Sequence, residues 1–384
     1  MSRAIQRIIV PVLAVTFALT STGLIAAPGG KGGGGGGGER TTTVRWGPID
    51  LPAATSEGPG EVHNELAGVS GFSAFLLGFF TELADYEVNK PCEDCYIVAV
   101  EPNLVLADGT TGNYNNGTML HHVVNLNYSR PDVTCQPDLF SDQTIKALGG
   151  AAGGNERFFA AGNERTIMNL ADGYGYYVGS GDEWGLTYHV MNMQPQPKTV
   201  YFEYTFTWVS ANKAKGIEAV RPIWVDIDQC NDSEVAVPAG YSDVHWSWQA
   251  DRTHKVTDIG GHVHNYGLSI AWENESTNQN ICTSVAGYSA GSPYAPTGPG
   301  TGADVQHPLD YNTVTSDPLG LDNYNGNIAD MTVCSDGANG PTNAKGDLMT
   351  THTQIYRPDE TDHDMGIMIG YMDEELCLTD TWCY

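Results

Sequence analysis

Six side chains of this sequence have types and spacings that could hold metal ions. His262 and His264 alternate within Gly-His-Val-His-Asn-Tyr-Gly, residues 261–267. On an extended strand, residues two apart share a face, so both imidazoles point the same way, which is a metal-ligand geometry. His121 and His122 are adjacent within residues 118–126. Neighbours on a regular strand face opposite ways, so this pair can share one ion only if a bulge or twist turns one ring, or if one ring binds through its other nitrogen. His189 lies in Leu-Thr-Tyr-His-Val-Met-Asn, residues 186–192, and Met365 opens a methionine-bearing stretch that runs to Met372. Taken singly, each has a plainer reading: alternating strand histidines, one exposed and one buried neighbour, a satisfied core histidine, and a packing methionine. Taken together, they raise the question of one site system.

The elements that would carry these residues are strands. Residues 96–100, 120–128, 186–193, 199–209, 223–227, 244–248, 268–272 and 366–372 are short runs rich in β-branched and aromatic side chains, separated by Gly, Pro, Asn and Asp clusters. That pattern predicts an all-β protein of sandwich type. Helical periodicity is confined to residues 74–83 and 142–148. A polar, lysine-bearing stretch at 210–216 interrupts the strands and marks a domain boundary, giving an N-terminal β-sandwich over 41–212 and a C-terminal one over 213–384. Residues 287–302 and 335–346 are rich in turn formers and read as surface insertions.

Composition narrows the classes of function. The 384 residues suffice for two domains with ordinary cores, and 46 glycines and 20 prolines imply many turns. Lys and Arg number 18 against 46 Asp and Glu, a net charge of −28. Such a surface repels phosphate backbones and anionic membranes, so nucleic acid is excluded as a partner, and no segment of the folded part is long and apolar enough for membrane insertion. At the N-terminus, Arg3 and Arg7 precede an apolar run ending in Ala26-Ala27-Pro28. This reads as a signal peptide over 1–27, followed by a flexible Gly-rich linker over 28–40, and so as a secreted, periplasmic or extracellular protein. Export makes the eight cysteines legible as disulfides, with Cys282 paired to Cys334 and Cys377 or Cys383 paired to Cys230 as the working guesses. Cys92-x-x-Cys95 lacks a second such pair at zinc spacing and reads as structural. Asn116, Asn127, Asn231 and Asn274 begin glycosylation sequons.

The order of the candidate ligands carries a resemblance. An adjacent His pair, a single strand His, His-x-His-x-x-Gly and a late Met look like the copper type II, ascorbate-dependent monooxygenases, the family of the peptidylglycine-hydroxylating enzymes and dopamine β-monooxygenase. The likeness covers about residues 96–372. Tyr188-His189-Val190 resembles the family's short strand around its third histidine, and the Pro238 to Gly240 turn resembles the opening of its second domain. It implies two tandem jelly-roll domains facing each other across a cleft, with two copper ions. His121, His122 and His189 would hold an electron-transfer copper, and His262, His264 and Met365 the copper that activates O2. Imidazole suits both oxidation states of copper, while a thioether is soft and favours Cu(I). The implied reaction is hydroxylation of a substrate C–H bond, with ascorbate or a similar external reductant.

Departures from the family bear on substrate. Where the peptide-processing members place an Arg, an Asn and a Tyr to grip a carboxylate, this chain has Gly260, Ile367 and Ile369, and Gly366 stands where many relatives have Cys. A small, uncharged or apolar substrate is therefore expected in place of a glycine-extended peptide. His363, Asp364, Asp258 and Asn265 are candidates for orienting the ligands. Two other classes stay open: a secreted copper-binding protein without turnover, and a structural surface β-sandwich with incidental histidines. A zinc hydrolase is a lesser alternative, since no Glu base stands beside the His pairs. Substrate, electron donor and oligomeric state are not readable from the chain.

Overall fold

The computed structural model describes residues 38–68, 83–134, 155–228, 233–287, 328 and 330–373. The expected signal peptide, most of the Gly-rich linker, and the helical stretches at 74–83 and 142–148 lie almost wholly outside these residues. Among the described residues every regular element is a strand or a short 3-10 turn, so the chain is all β, as the sequence pattern implies. No helix among them is long and apolar enough to cross a membrane.

The first half of the chain contributes β1 (Glu39–Leu51), β2 (Gly60–Ala67), β3 (Cys95–Leu106), β4 (Thr118–Pro131), β5 (Asn155–Gly162), β6 (Met168–Asn169), β7 (Tyr174–Val178), β8 (Trp184–Asn192) and β9 (Lys198–Ser210). The second half contributes β10 (Glu218–Asp226), β11 (Glu234–Val237), β12 (Gly240–Gln249), β13 (His254–Val263), β14 (Gly267–Asn274), β15 (Gln279–Gly287), β16 (Asp330–Met331), β17 (Val333–Ser335), β18 (Thr342–Asn343), β19 (Leu348–Arg357) and β20 (Thr361–Asp373).

These strands build three sheets in a sandwich-like arrangement. The largest runs β1-β9-β3-β7-β10-β20-β13-β17, with β6, β11 and β18 attached at its sides; the others are β2-β8-β4-β5 and β12-β19-β14-β15-β16. The turn Ala211–Lys213 coincides with the 212/213 boundary, yet the largest sheet takes strands from both sides of it through the parallel pair β7 and β10. Gly38–Tyr384 is one compact unit.

Burial patterns explain the layering. In β9, Val200, Phe202, Tyr204 and Phe206 are buried while Tyr201, Glu203 and Thr205 between them are not, the alternation of a strand with one covered face. β8, β13 and most of β20 are buried nearly without interruption, because each lies between layers. His189, His262 and Met365 sit on these doubly covered strands. One apolar core gathers Trp46, Phe158, Trp184 and Phe202; a second gathers Val256, Ile259, Ile270 and Trp272. A third cluster, of Leu66, Val124, Leu126, Trp224, Met365, Ile367 and Ile369, joins strands from both halves. Truncating a core ring such as Phe202 to Ala would cost about 3–5 kcal/mol.

Cys282 pairs with Cys334 as expected, and Cys92 pairs with Cys95. Cys230, Cys377 and Cys383 lie outside the described residues. Two of the sequons sit at buried asparagines: Asn127 donates to the Tyr176 hydroxyl, and Asn274 donates to Asn343 and Asp347, both with 0% exposure. A glycan at either position is incompatible with this packing.

Candidate metal centre

A β-bulge resolves the problem posed by the adjacent histidines. Along β4 and β8 the register passes from the pair Leu120–Val190 directly to His122–His189, leaving His121 as the extra residue. The insertion turns both β4 rings toward β8. Ring centroids are 5.1 Å apart for His121 and His122, 4.5 Å for His121 and His189, and 5.7 Å for His122 and His189. One nitrogen from each of the three can be chosen so that all lie within 4.8 Å of one another. The Nδ1 atoms of His121 and His189 approach to 2.7 Å, and His189 Nε2 lies 3.0 Å from Glu61 Oε2. With a carboxylate accepting at Nε2, His189 presents its Nδ1 lone pair to His121. A cation placed there would displace the proton that the two Nδ1 atoms share.

His262 and His264 are held by a different device. His262 Nδ1 donates to Glu164 Oε1 at 2.9 Å, and the same oxygen accepts the Gly162 N–H at 2.8 Å. His264 Nδ1 donates to the His363 carbonyl at 2.8 Å. A carbonyl can only accept, so the His264 proton must sit on Nδ1 and Nε2 must carry the lone pair. The Nε2 atoms of both rings are buried without a hydrogen-bond partner, and so is His122 Nδ1. Buried polar atoms are usually satisfied, so three unpartnered imidazole nitrogens in one region are available as metal donors. Anchoring one ring nitrogen on a carboxylate or carbonyl while the other faces a metal is the usual way such rings are oriented.

The electrostatics favour neutral ligands. Burial, followed by the neighbouring rings, drives His121 and His122 far below the ordinary histidine range. His264 is brought down to about 3, by burial first and then by His262. His189 is lowered by burial and His63, against the opposing pull of Glu61 and Glu234. Burial pushes the Glu164 carboxyl up, but His262 and the backbone N–H groups of Glu164 and Gly162 together bring it below its usual value, so it stays ionised. Unprotonated imidazoles are the form that binds metals.

Met365 is placed by register. β13 and β20 pair His262 with Ile367 and Val263 with Gly366, so Met365 lies one residue beyond the last pair, on the same face of β20 as Ile367, and is itself paired with Glu234 of β11. Its side chain is 6% exposed and belongs to the apolar cluster with Leu66, Val124 and Leu126. Gly366 is required by contact, since a Cβ there would run into the Thr353 side chain. Ile367 and Ile369 belong to the same apolar cluster, and Gly260 faces Val333.

The two histidine groups touch. His121 and His264 have ring centroids 4.6 Å apart at an interplanar angle of 35°, and His264 is 5.6 Å from His262. The cleft implied by the family resemblance is closed at this point. Gly162 makes the approach possible: a Cβ on it would lie 2.6 Å from His262 Cε1, 2.5 Å from Glu164 Oε2 and 2.9 Å from the His121 carbonyl oxygen.

No family model matches the chain. It is 29% identical over 153 residues, 39% of its length, to a protein of Phoma sp. named a probable copper-dependent oxygenase. It is 26% identical over 194 residues, 49% of its length, to a protein of Cochliobolus lunatus with the same description. These alignments span 36% and 57% of the two relatives' own lengths. Among solved structures, PNGF-II aligns over 86% of this chain and 65% of its own with a TM-score of 0.36 and 9% identity.

Four contributors have no motif in the sequence. Gly162 ends β5 and Glu164 lies in the turn after it; Glu61 and His63 lie on β2, which has a register shift between Val62 and Glu65, and the His63 ring is 4.2 Å from that of His189. The Glu61-Val62-His63 alternation was the one available signal. Of the proposed orienting residues, His363 supplies the carbonyl described above while its own ring is exposed beside Glu234. Asp364 accepts the Met365 N–H and pairs with Arg357. Asn265 bonds the Tyr114 hydroxyl, and Asp258 accepts from Ala171 and Ser335, away from the histidines. A separate donor group, Glu273, Glu275 and His352, lies at β14 and β19.

Proposed function

We propose that this chain is a secreted copper-dependent oxygenase that hydroxylates a C–H bond of a small, uncharged or apolar substrate with O2 and an external reductant such as ascorbate. His121, His122 and His189 hold one copper ion, and His262, His264 and Met365 hold a second. The observation that carries this reading is the pair of buried, unpartnered Nε2 atoms on His262 and His264, each ring anchored through Nδ1, beside a three-histidine group. The names of the two relatives support copper and oxygenation, and the disulfides accord with an oxidising compartment.

When bound, copper supplies one-electron redox chemistry and a place for O2 to be reduced. The chain's own groups set the conditions for it. Glu164 and the His363 carbonyl lock the proton on Nδ1 of His262 and His264, so that neither ring needs to be deprotonated at Nε2. Glu61 holds the His189 proton on Nε2 in the same way and leaves its Nδ1 free to bind. Met365 adds a soft donor that favours the reduced ion. Leu66, Val124 and Ile367 wall the site with apolar surface, which excludes water and suits an uncharged substrate. No side chain is required to act as a general acid or base.

The test is metal analysis of the purified full chain together with ascorbate-driven O2 consumption. Two coppers per chain, selective loss of one in His262→Ala, and O2 uptake abolished in that variant support the assignment. Copper loading without O2 consumption favours a copper-binding protein without turnover, and zinc in preference to copper favours hydrolytic chemistry.

A further inference from the structure

The contact between His121 and His264 has a consequence beyond copper binding itself. These rings come from the two different ligand groups, yet their centroids are 4.6 Å apart, closer than His262 and His264 within one group. The contact is built in: Gly162, paired with His122 on β5, leaves the space into which His262 Cε1 projects, and Glu164, in the turn after β5 in the first half, holds His262 of the second. The His189, His121, His264 and His262 rings therefore form one unbroken chain of neighbours, with His122 beside His121 and with the His63 ring tilted against His189 at the outer end. No layer of solvent or of other side chains separates the groups where these two rings meet.

We infer that the two ligand groups form one joined dinuclear centre, in which the ions bound by His121 and by His264 are close enough to interact magnetically and to influence each other's binding. This rests on the copper reading above. Paramagnetic ions whose ligand rings are in contact broaden each other's signals through space, and can share a bridging oxygen ligand that pairs their spins. Binding at neighbouring groups is also thermodynamically linked, and the linkage is reciprocal: whatever one ion does to the affinity for the second, the second does to the first.

Electron paramagnetic resonance of the full chain distinguishes the possibilities. A His352→Ala background removes the separate Glu273, Glu275 and His352 group, so that counted copper reports the histidine centre. Cu(II) is added stepwise, copper is counted by elemental analysis and the spectrum is integrated. As the second equivalent enters, the signal per copper is expected to fall by more than half, with dipolar broadening or a half-field line. In His121→Ala or His264→Ala, the remaining copper should give an isolated signal at full intensity. Two sharp signals that sum to the full copper content overturn the joined centre and leave the copper reading intact. Uptake of a single equivalent also overturns it, whereas failure to take up any copper overturns the copper reading beneath it. The wild-type spectrum alone decides the matter if a variant does not fold.

Discussion

Replacing Glu164 by Gln isolates what a single buried charge contributes to the His262 group. Glu164 is 3% exposed, and its Oε1 accepts from both His262 Nδ1 at 2.9 Å and the Gly162 N–H at 2.8 Å. Glutamine keeps the shape and can still present a carbonyl oxygen to both donors, so the packing around Gly162 survives. The proton stays on Nδ1, but the negative charge is lost, and with it the polarisation of the ring that makes Nε2 a stronger donor. A hydrogen bond to a charged group contributes about 1.5–3 kcal/mol where a neutral one contributes about 0.5–1.5. The difference of about 1–2 kcal/mol corresponds to a loss of roughly 5- to 30-fold in copper affinity. That lies within the ~10–100-fold effect usual for groups that orient metal-bound histidines, toward its lower end. The assay is competition for copper against a chelator of known affinity, with circular dichroism to confirm that the β fold is unchanged. Wild-type affinity in a folded Glu164→Gln protein would refute the role assigned to this carboxylate.

Four further outcomes follow from the same geometry. Gly162→Ala places a methyl group 2.6 Å from His262 Cε1 and should weaken copper binding at His262 and His264 more than Glu164→Gln does, as read in the same competition. Met365→Leu conserves volume within the apolar cluster and should cost less than about 1.5 kcal/mol of stability in denaturant titration, while lowering affinity for Cu(I) more than for Cu(II). His254 is stacked on Trp272, donates to the Arg252 carbonyl and accepts from Asn343, and burial lowers its pKa from 6.5. Because the folded chain resists a proton that the unfolded chain accepts, its contribution is complete above pH 6.5 and is lost as the pH falls toward the depressed folded value, at up to about 1.4 kcal/mol per pH unit. Melting of the metal-free protein between pH 7 and 5 should therefore show a shallower acid slope in His254→Gln. Removing the Cys282–Cys334 bridge, which spans a separation of 52 residues, should cost about 4 kcal/mol if it acts chiefly on the unfolded chain, measured by denaturant titration of the double serine variant.

The all-β class and most of the ligand candidates were legible because both depend on local order. Alternation of apolar and polar residues reports a strand with one covered face, as in β9, and His262-x-His264 reports two rings on one side of β13. Less local features were not legible. His121 and His122 could share a site only through a bulge, and the bulge is visible only once β4 is paired with β8. Likewise, the continuous burial of β8 and β20 reads as strand but does not say which layers cover them.

The sequence by itself determined the donor types, their order along the chain, the strands that carry them and the turn-rich segments between, since each follows from residue chemistry and from spacing over a few positions. Only the tertiary structure decided that Glu164 anchors His262 across 98 residues of chain, that His63 joins the group, and that His121 meets His264 in place of an open gap. Those contacts depend on how three sheets stack and on the absence of a side chain at Gly162, and no periodicity in the sequence encodes which layers come together.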